Sequence, residues 1–244
     1  MRIRTQVGIV GAGPAGLLLY ALAKRRNLPM SSNPHSAGLL NHLLSLSVGI
    51  LGYAALASTA AAEAPLELVR SITNQALHVL TESSDGGTTP SQQQLDKMWV
   101  IVVPRFDTQE LAQRALGANW QKLTDAQQQE FTSLFIELVK NRYSDTLKRY
   151  SKEAKVDFDH ERIEGESAEV QTRISSPAQS TPFAVVYRLH KKGDTWLIYD
   201  VVAENVSLVQ NYRNQFARIM AKSSGAGLIE ALKRKIAELK ATPR

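Results

Sequence analysis

From residue 63 apolar positions recur at helical spacing, and after residue 151 they recur at every second position, so helices should precede strands. Residues 64–83 place Leu66, Val69, Ile72, Ala76, Val79 and Leu80 on one helical face. The run Asp85-Gly86-Gly87-Thr88-Thr89-Pro90 breaks that helix. A short helix through Leu95, Met98 and Trp99 follows and ends before Pro104. Asp107, with Glu110 three residues on, predicts an N-cap that opens a helix to Leu116-Gly117. Thr124 caps a long helix to Tyr150, whose apolar stripe runs through Phe131, Leu134, Phe135, Leu138, Val139, Tyr143, Leu147 and Tyr150.

Segments 155–164, 167–175, 183–191 and 195–203 read as strands, with Lys192-Gly193-Asp194 turning a hairpin between the last two. Phe183, Val185, Tyr187 and Leu189 alternate with other residues and should share a face. Helices over 207–222 and 227–240, separated by Gly225, end the chain. Helices, then a run of antiparallel strands, predict an α+β fold with helices packed on one face of a curved sheet of about four strands.

Ahead of this pattern lies a different one. Leu43 to Ala57 is uncharged and mostly apolar, and Ala60-Ala61-Ala62 follows as an A-x-A site, so residues 39–62 read as the apolar and cleavage regions of a signal peptide cut after Ala62. The stretch is shorter than the roughly 20 apolar residues of a spanning helix. The chain thus divides into an extended N-region (1–38), a signal segment (39–62) and a folded part (63–244).

The N-region carries Gly11-Ala12-Gly13-Pro14-Ala15-Gly16 after a short apolar strand, and this resembles the first segment of FAD-dependent aromatic hydroxylases. In such a site Gly11, Gly13 and Gly16 let the backbone approach a pyrophosphate at a helix N-terminus. The motif also needs a second strand ending in an acid about 20 residues on. Here the helix runs into Asn27-Leu28-Pro29, and the first acidic residue of the chain is Glu63. The glycines read as an orphan fragment, with a flavin-dependent monooxygenase as the rival reading.

Charge and composition narrow the function. The chain has 29 Lys and Arg against 23 Asp and Glu, a net charge of +6. Residues 1–62 hold five of the basic residues and no acid, which leaves 24 against 23 from residue 63 onward. The folded part is nearly neutral, so nucleic-acid binding loses its main support. With no cysteine, disulfides, thiolate metal sites and a cysteine nucleophile are excluded. None of the five histidines forms an H-x-x-x-H or H-x-H pair, and there is no G-x-S-x-G elbow to make a triad of His160, His190, Asp200 and Ser207. Asp157, Asp159 and Glu161 alternate and read as an exposed acidic face. Neither a catalytic group nor a metal is expected, and no cofactor.

From Arg105 to Leu232 the chain resembles the MlaC, or toluene-tolerance, family of periplasmic phospholipid-binding proteins. The match is carried by Arg105-Phe106-Asp107-Thr108 leading to Ala115-Leu116-Gly117 and Trp120, by the long helix with Phe131 and Tyr143, and most specifically by Trp196, Tyr199-Asp200-Val201, Glu204, Val206-Ser207-Leu208, Tyr212-Arg213 and Phe216, then Gly225, Leu228 and Leu232. The family often has glycine where Asn205 stands, and Asn tolerates positive φ better than most residues. The resemblance implies an apolar pocket between sheet and helices that holds a phospholipid's acyl chains. It also implies shuttling between an inner-membrane ABC transporter complex and an outer-membrane lipoprotein complex, which maintains outer-membrane asymmetry and solvent tolerance. A related branch is linked to hopanoid biosynthesis.

A carrier of this kind needs a dry cavity rather than a catalytic group, since each buried CH₂ contributes about 0.8 kcal/mol. Phe106, Phe135, Leu138, Tyr143, Val185, Tyr187, Tyr199, Val201 and Phe216 are the candidates for its lining, with plain core packing as the alternative. Arg105 and Asp107 read as a salt-linked cap or a surface motif, and Asp200 and Arg213 as an internal pair. Lys233-Arg234-Lys235 reads as a solvated helix face or a dock for lipid headgroups or an acidic partner.

Overall fold

The structure, a computed structural model, describes residues 63–82, 89–150, 155–175 and 181–241. The orphan glycines, the signal segment and the cleavage site at Ala62 lie outside the described residues.

Six α-helices are described: α1 (Pro65–Thr81), α2 (Gln92–Val102), α3 (Thr108–Leu116), α4 (Asp125–Tyr150), α5 (Leu208–Met220) and α6 (Gly225–Ala241). Their starts are locally encoded. Pro65 occupies the first turn of α1, where its missing N–H costs nothing. Ser91 and Gln94 close a capping box at α2, and Thr124 and Gln127 do the same at α4. Gln94 also donates from Nε2 to the carbonyls of Val79 (3.0 Å) and Glu82 (2.8 Å), which satisfies the end of α1 and locks α2 against it. Asp107 and Ser207 accept the amides of Glu110 and Gln210 at the starts of α3 and α5.

Five strands form one antiparallel sheet in chain order: β1 (Lys155–Glu164), β2 (Ser167–Ser175), β3 (Phe183–Lys192), β4 (Thr195–Ala203) and β5 (Val206–Ser207). The sequence pattern foresees the first four. β5 is too short to show a period, and it exists because Glu204 and Asn205, at φ 48° and 64°, turn the chain straight back on β4. Asn205 therefore makes the left-handed turn expected at that position.

Phe183, Val185, Tyr187 and Leu189 share the buried face, joined by Val170 and Ile174 of β2 and by Ile198, Val201 and Ala203 of β4. Bulges at Asp159 and at Tyr199 break the strict alternation and bend the sheet around the helices. The first bulge also separates Asp159, which pairs with Arg173, from Glu161, which accepts the Leu66 amide at 2.8 Å. The expected acidic face is thus divided between two structural tasks.

The helices fall into two groups on that face. α2 packs on α1, and α1 rests on β1 and β2. α3 packs on α5, α4 on α6, and α3 and α5 rest on β4. On α1 the inward residues include Leu68 and Thr73, which the sequence stripe omits, while Leu66 and Val79 are only partly buried.

Candidate binding cleft

α2 and α4 barely touch, and the space between the two helical groups is an apolar cleft. Trp99 and Val102 of α2, with Val103 and Phe106 just after it, supply one part of its wall. Ile136, Val139 and Tyr143 of α4, spaced three and four residues apart on one helical face, supply another, and Leu111 and Leu208 join the two. Thr108 and Lys140 are the polar members of the lining. The cavity measures about 50 Å³.

Of the nine lining candidates, Phe106 and Tyr143 face this cleft. Leu138 lies beside a smaller hollow shared with Tyr143, Tyr212 and Gln215. Phe135 and Phe216 belong to a closed aromatic cluster with Phe131 and Tyr212, at centroid distances of 4.9 to 5.8 Å. Val185, Tyr187 and Val201 are buried on the inner face of the sheet, and the Tyr187 hydroxyl is hydrogen-bonded to Thr73. Tyr199, the extra residue of the β4 bulge, lies under the Arg114 guanidinium at 4.1 Å and against His190. It is not part of the cleft wall. The residues that sequence reading missed are chiefly Trp99, Val102, Leu111, Ile136 and Val139.

The polar scaffold behind the cleft is organised by two buried carboxylates. Asp107 caps α3, and its Oδ2 accepts from Lys192 at 3.0 Å and approaches His190 Nε2 at 3.2 Å. Burial alone would raise its pKa, but the Glu110 amide, Lys192 and His190 together hold it below the usual carboxylate value. The expected Arg105–Asp107 link does not form. Arg105 instead reaches toward Glu63, at 4.0 Å. The Asp107 amide donates to the Ile198 carbonyl at 2.9 Å, which stitches the Phe106 segment to β4 and aims Phe106 at the cleft.

Asp200 accepts from the Ser207 hydroxyl at 2.6 Å and from the amides of Val201 and Val209, so it fixes β4, the turn and the start of α5 together. Its cation is Arg188 at 3.4 Å, not Arg213. Arg213 donates from Nε to the Arg114 carbonyl at 2.8 Å, at the end of α3. Lys233 bridges Glu130 and Glu230, tying α6 to α4, so the basic run is partly structural.

The family model for MlaC protein matches residues 70–234. The chain belongs to the MlaC family. Among solved structures, a phospholipid-binding protein from Ralstonia solanacearum, determined in complex with a phospholipid, is 25% identical, with a TM-score of 0.64. That match covers 74% of this chain and 99% of the Ralstonia chain. The intermembrane phospholipid transport system binding protein MlaC of Haemophilus influenzae is 22% identical over 125 residues, which is 50% of this chain and 58% of that protein. The α+β architecture is that of the MlaC-family fold, and the residues that carry the resemblance hold the turn at Asn205, the Asp107 and Asp200 caps and the Arg213 anchor.

Proposed function

We propose that this chain is a phospholipid carrier of the periplasm, exported by the signal segment that ends at Ala62 and shuttling lipid between inner-membrane and outer-membrane complexes. The observation that carries the reading is the cleft, whose walls are almost wholly hydrocarbon in a fold whose Ralstonia relative binds a phospholipid. Acyl chains gain about 0.8 kcal/mol per buried CH₂ on leaving water, so such a cleft retains them without any catalytic group or cofactor.

Ligand pockets of drug-sized molecules measure about 300–1,000 Å³, well above the cavity volume of about 50 Å³ here. Cargo therefore enters by parting the walls. The α1–α2 pair and α4 barely touch, so their separation breaks few packing contacts. The sheet, with its long ladders from β1 to β4, stays fixed beneath them.

Native mass spectrometry of protein expressed with its leader in a Gram-negative host tests the reading. The expected result is a chain beginning at Glu63 with one phospholipid bound. Protein recovered from the cytoplasm, or carrying no lipid, overturns it.

A further inference from the structure

β1 is an open edge of the sheet. On the far side β4 is flanked by β5 and bridged by Phe106, whereas β1 pairs only with β2. Among the described residues no backbone hydrogen bond reaches its outer side. A ten-residue strand left this way presents a row of free N–H and C=O groups, a template for another strand. Ile163 on this strand is 49% exposed, one of two large hydrophobic side chains that stand clear among the described residues.

The bulge at Asp159 sorts the side chains of β1 into two faces. Val156, Phe158, Glu161 and Ile163 lie across from Ile174, Thr172, Val170 and Ala168, on the helix-covered face. Lys155, Asp157, His160, Arg162 and Glu164 lie across from Ser175, Arg173, Gln171, Glu169 and Ser167, on the open face. With the bulged Asp159 set aside, His160 is the middle of nine paired positions. About it the charges reverse in order: Lys155 answers Glu164, and Asp157 answers Arg162. Val156 and Ile163, both apolar, answer each other on the covered face.

We propose that β1 is a contact between two copies of this chain, paired antiparallel about a two-fold axis at His160 so that their sheets join into one. Lys155 then lies opposite Glu164 of the second copy, Asp157 opposite its Arg162 and Val156 opposite its Ile163, and symmetry repeats each pair. Other registers are disfavoured. A one-residue slip sets the covered face of one strand against the open face of the other. A two-residue slip sets Lys155 against Arg162 in one direction and Asp157 against Glu164 in the other. Within one chain Arg162 pairs with Glu164, and both are exposed, so the exchange of partners removes no buried ion pair. β1 supplies no residue to the cleft, so the contact stands apart from the carrier reading.

Sedimentation velocity over a concentration series of the exported, processed protein tests this. Wild type should show a reversible monomer–dimer equilibrium. Lys155→Glu and Glu164→Lys each set like charges opposite one another twice, so each alone should weaken the dimer about tenfold. Their neighbours across β2 are Ser175 and Ser167, so both variants should melt near wild type. An equal mixture of the two variants should recover the dimer, because each then meets its opposite charge in the other. Wild type that stays monomeric into the millimolar range overturns the proposal and leaves the edge to a strand of another protein. Single variants that dimerise as wild type does, or a mixture that stays as weak as its components, overturn it equally.

Discussion

Asp107 Oδ2 lies 3.0 Å from Lys192 Nζ, across 85 residues of chain, so one buried carboxylate ties the start of α3 to the β3–β4 hairpin. It is also the N-cap of α3 and sits beside Phe106 of the cleft. Replacing it with alanine removes the cap and leaves the Glu110 amide without its acceptor, so Asp107→Ala should lose about 2 kcal/mol of stability in a urea titration. The carboxylate's pKa is depressed in the folded state, so its contribution is present above its unfolded value, about 3.9, and is lost as pH falls through the lower folded value. The gap between wild type and Asp107→Asn should therefore be constant from pH 5 to 7 and close progressively below about pH 4. A gap that persists unchanged into strong acid would contradict the assignment.

Gly117 ends α3 at φ 56° and ψ −133°, a conformation that L side chains avoid, and an added Cβ would sit 3.4 Å from Arg213 Nε. That nitrogen is the donor to the Arg114 carbonyl. Gly117→Ala therefore strains the backbone, with the new Cβ only in ordinary contact with Arg213, and a cost of about 1–3 kcal/mol is expected by chemical denaturation. Arg213→Lys should lose most of the anchor, since an ammonium lacks the guanidinium's fixed fork. A Gly117→Ala variant as stable as wild type would contradict the strain at this position.

Three buried phenols set the alkaline limit. Burial raises Tyr187 and Tyr212 to about 12 and pushes Tyr143 well above its ordinary value, with the Tyr143 and Tyr212 hydroxyls hydrogen-bonded to each other. A raised folded-state pKa means that the neutral form belongs to the fold, so stability is full below about pH 10 and falls as pH rises toward the folded values. Ultraviolet titration should show these tyrosines ionising only together with unfolding. Tyr143→Phe should remove one phenol from that cooperative step and should not alter the acid limb.

The fold was largely legible because its signals are local: capping residues at Asp107 and Thr124, alternation in β2 to β4, and glycine at the β3–β4 turn. Of the nine lining candidates only Phe106 and Tyr143 border the cleft, and α4 shows why. Its single apolar stripe in the sequence is two faces in space. Phe131, Phe135 and Leu138 point into the core, while Ile136, Val139 and Tyr143 face the cleft. Both sets are apolar at helical spacing, and only the position of α2, set by long-range packing, separates them. Tyr199 lies away from the cleft for a related reason. The bulge in β4 adds one residue and turns its ring out to Arg114, and a bulge leaves no mark in a period-two pattern.

That division of α4 gives the sharpest comparison between core and wall. Phe135 is fully buried within the aromatic cluster, so Phe135→Ala leaves a cavity and should cost about 3–5 kcal/mol, with lipid binding lost only through unfolding. Val139 is partly buried and borders open space, so Val139→Phe adds a ring to the cleft with little overpacking. It should melt near wild type yet retain far less phospholipid in native mass spectrometry. Ile136→Phe should repeat the effect from the next turn of the same face, whereas Leu134→Phe, elsewhere on α4, should not. Full lipid occupancy in both cleft variants would place the acyl chains somewhere other than between α2 and α4. Separation of the two measurements, stability lost at Phe135 and cargo lost at Val139, is what a carrier with distinct core and cargo faces on one helix requires.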